Sequence, residues 1–595
     1  MSKRQYRWPL GLLALTLVVL SAGLGLRDPW PADEPRFALI ARDMVISGDW
    51  LIPRIAGALY PDKPPLFFWL IAAFYKLTGS LRIAFLLPSI AAGVGVIWLV
   101  MDLGRRLWHP SAGLWAGAIL LGTVQFTTQM KAAQIDGVLC FLTTLAIYGL
   151  CRHLLLGPAW GWYTAGGVAA GVGVMTKGVG FLPLLILLPY AWARCHQYSV
   201  PRIDWCDLRW LLAPLSMLIV VASWLVPMWW VTTSSADPEL IAYRDNILLR
   251  QTIERYATPW GHIKPPWYFL TNAIPLLWQP LVLFLPWLWR EWRRCLSIKD
   301  GRILLLGGWV ILILVFFSLS AGKRSLYIFP ALPVLALLAA PYAAEILRHE
   351  VPRRTLLAFA VLVCLGIAIA SAYLLTRSPI EGSRLSPLSG IRLETLVLML
   401  LVSGAGAVLL MRIGVRHTTY MYLPVVAVLW VTGALALYPD LNPARSGRLV
   451  TEAVLARLPA NSEVGFVGWK EQFALQWPTE FTHFGYRVVD PGEELRQAID
   501  WLRVGARRHL LVPDGATGAC VRDEPQDIVA FAHRTTWRLV DKDDLLETCE
   551  LPFNSPGDKR HARSTGDKAE AAQHATNLKT DCPVECCNIG RPLCL

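Results

Sequence analysis

Charged side chains are scarce in this chain. Only 17% of the 595 residues are Asp, Glu, Lys or Arg, whereas an ordinary soluble domain contains about 25%. Apolar residues reach 55%, and the mean hydropathy is +0.44. This composition excludes a disordered chain and argues against a cytosolic enzyme. A chain this long and this apolar is most simply a membrane protein that crosses the bilayer several times.

Several nucleotide and metal motifs are also missing. The sequence contains no P-loop, no Gly-rich dinucleotide fingerprint and no HExxH motif, which argues against an ATP-driven transporter. The acidic residues at 541–544 resemble a metal-holding pair only superficially, and we interpret them as a solvated turn. The net charge of +13 fits Lys and Arg at cytoplasmic loops and anionic headgroups, so we expect a lipid bilayer and no nucleic acid as partner.

Twelve cysteines do not form a disulfide scaffold in a chain of this length. Cys520 and Cys549 lie in a polar C-terminal region and can pair if that region is outside the cytoplasm. Four more cysteines lie in the polar tail without a recognisable metal spacing. We therefore assign no metal site and no cofactor.

Thirteen apolar segments are predicted to span the membrane; several have about the 17–25 residues that a membrane helix needs, and a few are shorter. The first follows a basic N-terminus and lacks an AxA-type cleavage signal, so we interpret it as a membrane helix. The predicted spans are residues 8–26, 82–103, 112–130, 136–156, 162–176, 179–195, 210–232, 268–289, 303–319, 325–345, 355–376, 393–412 and 419–438.

The distribution of arginine predicts the orientation of these spans. With the N-terminus in the cytoplasm, every cytoplasmic junction of the thirteen-span arrangement carries at least one Arg. Residues 65–78 are too short for a span and are predicted to form an interfacial helix. Residues 27–81 and 233–267 then become two large loops on the periplasmic side.

The chain divides into three predicted parts. Residues 1–440 form an all-α, polytopic membrane domain. Residues 441–553 mix strand-like stretches (463–467, 509–512) with helix-like ones (446–458, 493–504), which predicts a small periplasmic α/β domain. Residues 554–595 are polar and rich in turn residues, so we expect a disordered tail.

An acidic pair begins the first outer loop helix. Asp33 and Glu34 precede Pro35, and an apolar stripe follows at Phe37, Ile40, Ala41 and Met44, a pattern typical of an amphipathic helix at the membrane surface. The simple interpretation of the carboxylates is an acidic helix N-terminus. The functional interpretation is a carboxylate at the membrane–water boundary that acts as a general base.

Further motifs occur in a fixed order along the chain. They are DEPRFA at 33–38, GDWLIPR at 48–54, DKPPLFF at 62–68, AAQID at 132–136, MTKG at 175–178, RY at 255–256, PWYF at 266–269 and SLSAGKRSLY at 318–327. Together they resemble the bacterial polyprenyl-phosphate-dependent membrane glycosyltransferases, a family that includes lipid A aminoarabinose transferases and is related to protein O-mannosyltransferases. The resemblance covers about residues 8–345. Gln134 stands where the family often has Arg, and Arg250 where it often has His.

Basic residues on the predicted outer side support this resemblance independently. They oppose the usual bias of Lys and Arg toward the cytoplasm, so they need an anionic partner such as a lipid-linked phosphate. For a single Lys, the alternative is that the amine only reaches for headgroups. The residues that we assign to the donor phosphate are Lys63, Arg255, Lys177, Lys323 and Arg324.

The resemblance implies a GT-C-type enzyme that moves a sugar from polyprenyl (undecaprenyl) phosphate to a glycolipid such as lipid A, a polysaccharide or a protein. Asp33 is the expected base and Glu34 the reserve, and Arg36, Asp62, Asp136 and Tyr327 are expected to line the substrate cavity. We expect a monomer in the bacterial inner membrane with its active site facing the periplasm. The alternatives are a non-enzymatic flippase for lipid-linked sugars and a protein O-glycosyltransferase of the same family.

Overall fold

The computed structural model describes residues 4–248, 262–377, 390–459, 461–478, 481–486, 491–514, 516, 520–522, 528–532 and 535–546. The fold is mostly helical, as the apolar sequence predicts. The α-helices are Arg4–Ser21 (α1), Glu34–Ser47 (α2), Leu66–Thr78 (α3), Leu81–Ala84 (α4), Leu87–Leu107 (α5), Pro110–Leu121 (α6), Val124–Met130 (α7), Ile135–Leu154 (α8), Trp160–Thr176 (α9), Leu187–Cys195 (α10), Leu212–Ser234 (α11), Pro238–Asp245 (α12), Ile274–Leu277 (α13), Leu285–Ser297 (α14), Gly301–Leu319 (α15), Leu332–Ile346 (α16), Glu350–Arg377 (α17), Leu393–Arg445 (α18), Arg448–Leu455 (α19), Glu471–Gln476 (α20) and Pro491–Val504 (α21).

Tighter or wider helical turns extend several of these helices. They are 3₁₀ segments at Gly178–Ile186, Leu208–Leu211, Leu281–Phe284 and Ser325–Ala331, and a π-helical turn at Phe269–Ala273. Prolines lie within or beside all of these segments except Leu208–Leu211 and Phe269–Ala273, and a proline lacks the N–H that a regular α-helix needs.

Eight helices in the described ranges are long and apolar enough to cross a membrane. The number becomes nine if the pair Phe269–Leu277 and Leu281–Ser297, bent by 109°, is one broken span. Helix α18 has 53 residues and covers two predicted segments, which meet at Gly414, where φ is 65°. Every predicted segment overlaps a helix, but the total of thirteen spans remains a prediction because several of these helices are shorter than a span.

Residues 27–81, the predicted first outer loop, are compact and helical. Helix α2 begins at Glu34 with Pro35 in its first turn, as predicted, and its apolar stripe is buried. Phe37 packs edge-on against Phe67 of α3, with ring centroids 5.5 Å apart. The strands Arg54–Ile55 (β1) and Ala58–Leu59 (β2) form a short hairpin between these helices. The predicted helix at 65–78 is therefore present as α3.

The C-terminal part contains a five-stranded sheet. Its strands are Glu463–Phe466 (β3), Thr482–His483 (β4), Arg508–Pro513 (β5), Ile528–Ala532 (β6) and Thr535–Val540 (β7). The order is β4-β3-β5-β7-β6, in which β3 runs parallel to β4 and β5, and β7 is antiparallel to β5 and β6. The two strands predicted for this region are present as β3 and β5, and the two predicted helices as α19 and α21. The domain boundaries 441–553 remain a prediction.

This C-terminal part lies directly against the first outer loop. The Arg42 guanidinium donates to the Ala474 carbonyl oxygen at 3.2 Å, and His483 Nε2 lies 3.0 Å from the Ala56 carbonyl oxygen. Cys520 is in a disulfide bond. Its predicted partner Cys549 lies outside the described residues, as does the tail 554–595.

Candidate active site

Asp33 is the residue immediately before helix α2. Its backbone is already helical (φ −105°, ψ −32°), and its carboxylate makes no capping hydrogen bond to the helix. The side chain is only 17% exposed and lies between two arginines, 3.6 Å from Arg36 Nη1 and 3.6 Å from Arg324 Nη2. The carboxylate is therefore not occupied by the helix end and faces two cations.

Arg36 connects Asp33 to the C-terminal part. Its Nε donates to Glu471 Oε1 at 2.7 Å, and the Tyr486 hydroxyl lies 3.3 Å from the same oxygen. Burial disfavours the charged guanidinium, but Tyr60, Glu471 and Tyr486 outweigh it and hold the pKa of Arg36 above its ordinary value. Arg36 is consequently a permanent positive charge shared by two carboxylates.

Glu34 has a different environment from Asp33. Both of its oxygens are bonded to the Arg27 guanidinium, and its side chain is 6% exposed. It also accepts hydrogen bonds from the backbone N–H groups of Trp30, at 2.8 Å, and Ala133, at 2.9 Å. Because the Arg27 guanidinium and two backbone N–H groups already occupy its oxygens, the geometry favours a structural role for Glu34 over that of reserve base.

Lys177 and Asp136 form a second charged pair of the site. Lys177 Nζ lies 2.7 Å from Asp136 Oδ1 and 4.6 Å from the centroid of the Tyr327 ring. Tyr327 is in the 3₁₀ segment that begins next to Arg324, and its backbone N–H donates to the Arg324 carbonyl oxygen. These contacts extend the site from Asp33 through Arg324 and Tyr327 to Lys177.

An apolar crevice opens beside Lys177. Lys177 and Tyr327 border it, and its remaining walls come mainly from apolar side chains of several helices, among them Leu139, Val179, Trp309 and Phe317. The volume of this crevice is only about 10 Å³, about the space that one water molecule needs, so the crevice is a narrow gap beside the Lys177 cation and is too small for a lipid chain.

The structure places the other predicted phosphate ligands in different environments. Lys323 is 2% exposed, and its amine donates to the carbonyl oxygens of Lys264 and Ser320, which favours a structural role. Lys63 Nζ donates to the Asp62 carbonyl oxygen at 2.8 Å. Arg255 lies outside the described residues.

Sequence reasoning did not single out Arg27, Lys131 or Glu471. The Lys131 amine donates to the carbonyl oxygens of Val19 and Ala22, both at 2.8 Å, and Arg27 donates to the Lys131 carbonyl oxygen at 3.1 Å. Arg27 and Lys131 are basic residues next to predicted spans on the predicted outer side, and this position in the sequence could have identified them as candidates. Glu471 is 435 residues from Arg36 and gives no comparable local signal.

Comparisons with known proteins point to one class. The family model described as dolichyl-phosphate-mannose-protein mannosyltransferase matches residues 62–226. An undecaprenyl phosphate-alpha-4-amino-4-deoxy-L-arabinose arabinosyl transferase of Pseudomonas savastanoi pv. phaseolicola is 31% identical over 394 residues, 63% of this chain and 69% of the relative. A transferase of the same name from Pseudomonas fluorescens Pf0-1 is 27% identical over 572 residues, 92% of this chain and 96% of the relative.

A solved structure has the same fold. The crystal structure of ArnT from Cupriavidus metallidurans bound to undecaprenyl phosphate superposes with a TM-score of 0.69 at 22% identity, over 89% of this chain and 98% of that chain. The fold and the relatives together define a GT-C-type integral membrane glycosyltransferase. The chain belongs to the undecaprenyl phosphate-alpha-4-amino-4-deoxy-L-arabinose arabinosyl transferase family.

Proposed function

We propose that this enzyme transfers 4-amino-4-deoxy-L-arabinose from undecaprenyl phosphate to an envelope glycolipid such as lipid A. The sugar and its carrier are those in the names of the relatives. The observation that carries the proposal is the position of the Asp33 carboxylate, which lies between Arg36 and Arg324. We further propose that the reaction occurs on the periplasmic face of the inner membrane, in a monomer.

The proposed reaction is a displacement at the anomeric carbon. Asp33 accepts the proton of the acceptor hydroxyl while the hydroxyl oxygen forms a bond to that carbon. The bond between the anomeric carbon and the phosphate oxygen breaks, and undecaprenyl phosphate leaves with the electron pair. Arg324 and Lys177 stabilise the negative charge that grows on the leaving phosphate, which therefore needs no proton.

Lys63 and Arg255 complete this phosphate site in the proposal, and Asp136 and Tyr327 hold Lys177 in place. We propose that Arg36, Asp62, Asp136 and Tyr327 contact the substrates. Glu34 positions the start of α2 through its pair with Arg27.

Reconstitution tests this function. Liposomes that contain the purified protein, the undecaprenyl phosphate-linked aminosugar and lipid A should release undecaprenyl phosphate only when lipid A is present. Mass spectrometry of lipid A from a deletion strain should show loss of the aminosugar. A flippase would move the donor across the bilayer without releasing undecaprenyl phosphate, and a protein O-glycosyltransferase would leave lipid A unchanged and require a protein acceptor.

A further inference from the structure

A cavity of about 480 Å³ lies between the start of α2 and the C-terminal sheet region. Its volume is within the usual range for small-molecule sites, about 300–1,000 Å³. The side chains that matter for its chemistry are Arg36, Trp469, Lys470, Glu471, Tyr486 and Glu494. All except Arg36 come from the C-terminal part, whose role the proposed mechanism leaves open.

The walls of this cavity combine aromatic faces with both signs of charge. The rings of Trp469 and Tyr486 are 5.5 Å apart, and the Trp469 indole is held by a 2.8 Å hydrogen bond to the Gly485 carbonyl oxygen. Glu494 is 8% exposed and accepts the Gly468 N–H at 2.7 Å. Lys470 is exposed. Aromatic faces, carboxylate acceptors and ammonium donors together suit a ring that carries many hydroxyl groups.

Asp33 contacts two arginines, of which Arg324 lies on the side of the apolar crevice and Arg36 lines the cavity. Arg324 contacts Asp33 and leads through Tyr327 to Lys177 at the crevice. Arg36 contacts Asp33 and leads to Glu471 at the cavity. In a displacement, the nucleophile and the leaving group must approach the anomeric carbon from opposite sides. With the donor phosphate at Arg324 and Lys177, as proposed above, the cavity on the Arg36 side is left for the acceptor.

We propose that this cavity binds the sugar headgroup of the acceptor, so that the C-terminal region selects the acceptor. The proposal rests on the proposed function, because it uses the donor position inferred there. The donor's own sugar is the competing occupant with the same hydroxyl-rich chemistry, and the test below distinguishes the two.

The acceptor-site proposal is tested with two substitutions in the cavity and one control substitution outside it. Lys470→Ala removes an exposed amine, and Tyr486→Leu removes an aromatic face. Lys542→Ala is the matched control, since Lys542 is also an exposed lysine of the C-terminal part but does not line the cavity. Initial rates are measured in liposomes, first with lipid A varied at saturating donor and then with the donor varied at saturating lipid A.

Removing contacts that bind ground state and transition state equally raises KM and leaves kcat unchanged. We expect Lys470→Ala and Tyr486→Leu to raise the KM for lipid A by about 10-fold, the effect of a lost contact of about 1.4 kcal/mol. The KM for the donor should stay within 2-fold, and the control should match the wild type. A rise in the donor KM instead would assign the cavity to the donor sugar and overturn the proposal, as would wild-type kinetics in both cavity variants.

Binding of de-acylated lipid A provides a readout that does not depend on turnover. The wild type and the control should bind it about 10-fold more tightly than Lys470→Ala, whereas equal binding by all three proteins would refute the acceptor site. Failure of the wild type to transfer sugar to lipid A would count against the proposed function. Normal wild-type transfer with unaffected cavity variants would count only against the cavity.

Discussion

The carboxylate of Glu34 and the guanidinium of Arg27 form a buried, bidentate ion pair, with Arg27 Nη2 donating to Glu34 Oε1 at 2.8 Å. Their side chains are 6% and 3% exposed. Because Glu34 also accepts the Ala133 N–H, the pair connects the start of α2 to the segment before α8. Asp33 is the residue immediately before Glu34, so this ion pair fixes the position of the proposed base.

We predict that Arg27→Met destabilises the protein strongly. Removing one partner of a buried pair leaves the other charge without compensation and costs about 3–5 kcal/mol. The melting temperature in detergent should fall by many degrees. The matched control is Arg348→Met, which breaks an exposed pair with Glu345 whose side chains are 76% and 63% accessible, and should cost no more than about 1 kcal/mol. Equal melting temperatures for the two variants would contradict a structural role for the Arg27 pair.

We predict that Asp33→Asn abolishes transfer without unfolding the protein. The carboxylate makes no capping hydrogen bond, so its loss should hardly affect α2. Loss of a general base lowers the rate by about 100-fold or more. The control is Asp237→Asn, an exposed residue that does cap its helix through the Glu239 N–H. Full activity of Asp33→Asn with a normal melting temperature would show that another group takes the proton.

We predict that Lys63→Ala, Arg255→Ala and Lys177→Ala each weaken donor binding. A lost hydrogen bond to a charged group costs about 1.5–3 kcal/mol, so the donor Kd should rise by at least 10-fold. Lys299→Ala is the control, because this exposed amine donates to the His196 carbonyl oxygen. The donor Kd in nanodiscs checks the prediction, and unchanged values would remove the residue concerned from the phosphate site.

We predict that the N-terminus is cytoplasmic and that the region after residue 440 is periplasmic. The basis is the arginine distribution between the predicted spans. A reporter fused after Leu441 should show alkaline phosphatase activity and no cytoplasmic fluorescence. Fluorescence without phosphatase activity would reverse the orientation and with it the proposed location of the reaction.

We predict a pH-dependent effect of Glu494→Gln on stability. Burial raises the pKa of Glu494 above its ordinary value, although the Gly468 N–H opposes the shift. The folded protein therefore holds this proton more tightly than the unfolded chain. The resulting stabilisation is complete below the unfolded pKa, about 4.3, and is lost as the pH rises through the raised value.

Gln imitates the neutral carboxyl group, so the melting temperature of Glu494→Gln relative to wild type should increase between pH 4 and pH 8. Glu493→Gln changes an exposed neighbour and should show no such trend. A constant difference across the pH range would contradict the raised pKa.

Much of the helical framework follows from local composition. Apolar runs of about 20 residues, such as 303–319 and 325–345, predict their helices because backbone polar groups in a membrane must bond internally. The motif at 33–38 also predicts the start of α2 at Glu34, since Pro35 suits a first helical turn. The number of spans is harder to predict, because α6 and α9, with 12 and 17 residues, are too short for length alone to decide whether they cross the membrane.

The sequence by itself determined the membrane class, the order of the motifs and the candidate charges at 33, 63, 177 and 324. It ranked Asp33 as the base and Glu34 as the reserve but gave no physical reason to exclude either, because two adjacent carboxylates have the same chemistry. Only the tertiary structure separated them: neighbouring residues at a helix start point about 100° apart, so Glu34 turns inward to Arg27 while Asp33 faces Arg36 and Arg324. The contact of Arg36 with Glu471 likewise required the fold, since no local pattern relates side chains 435 residues apart.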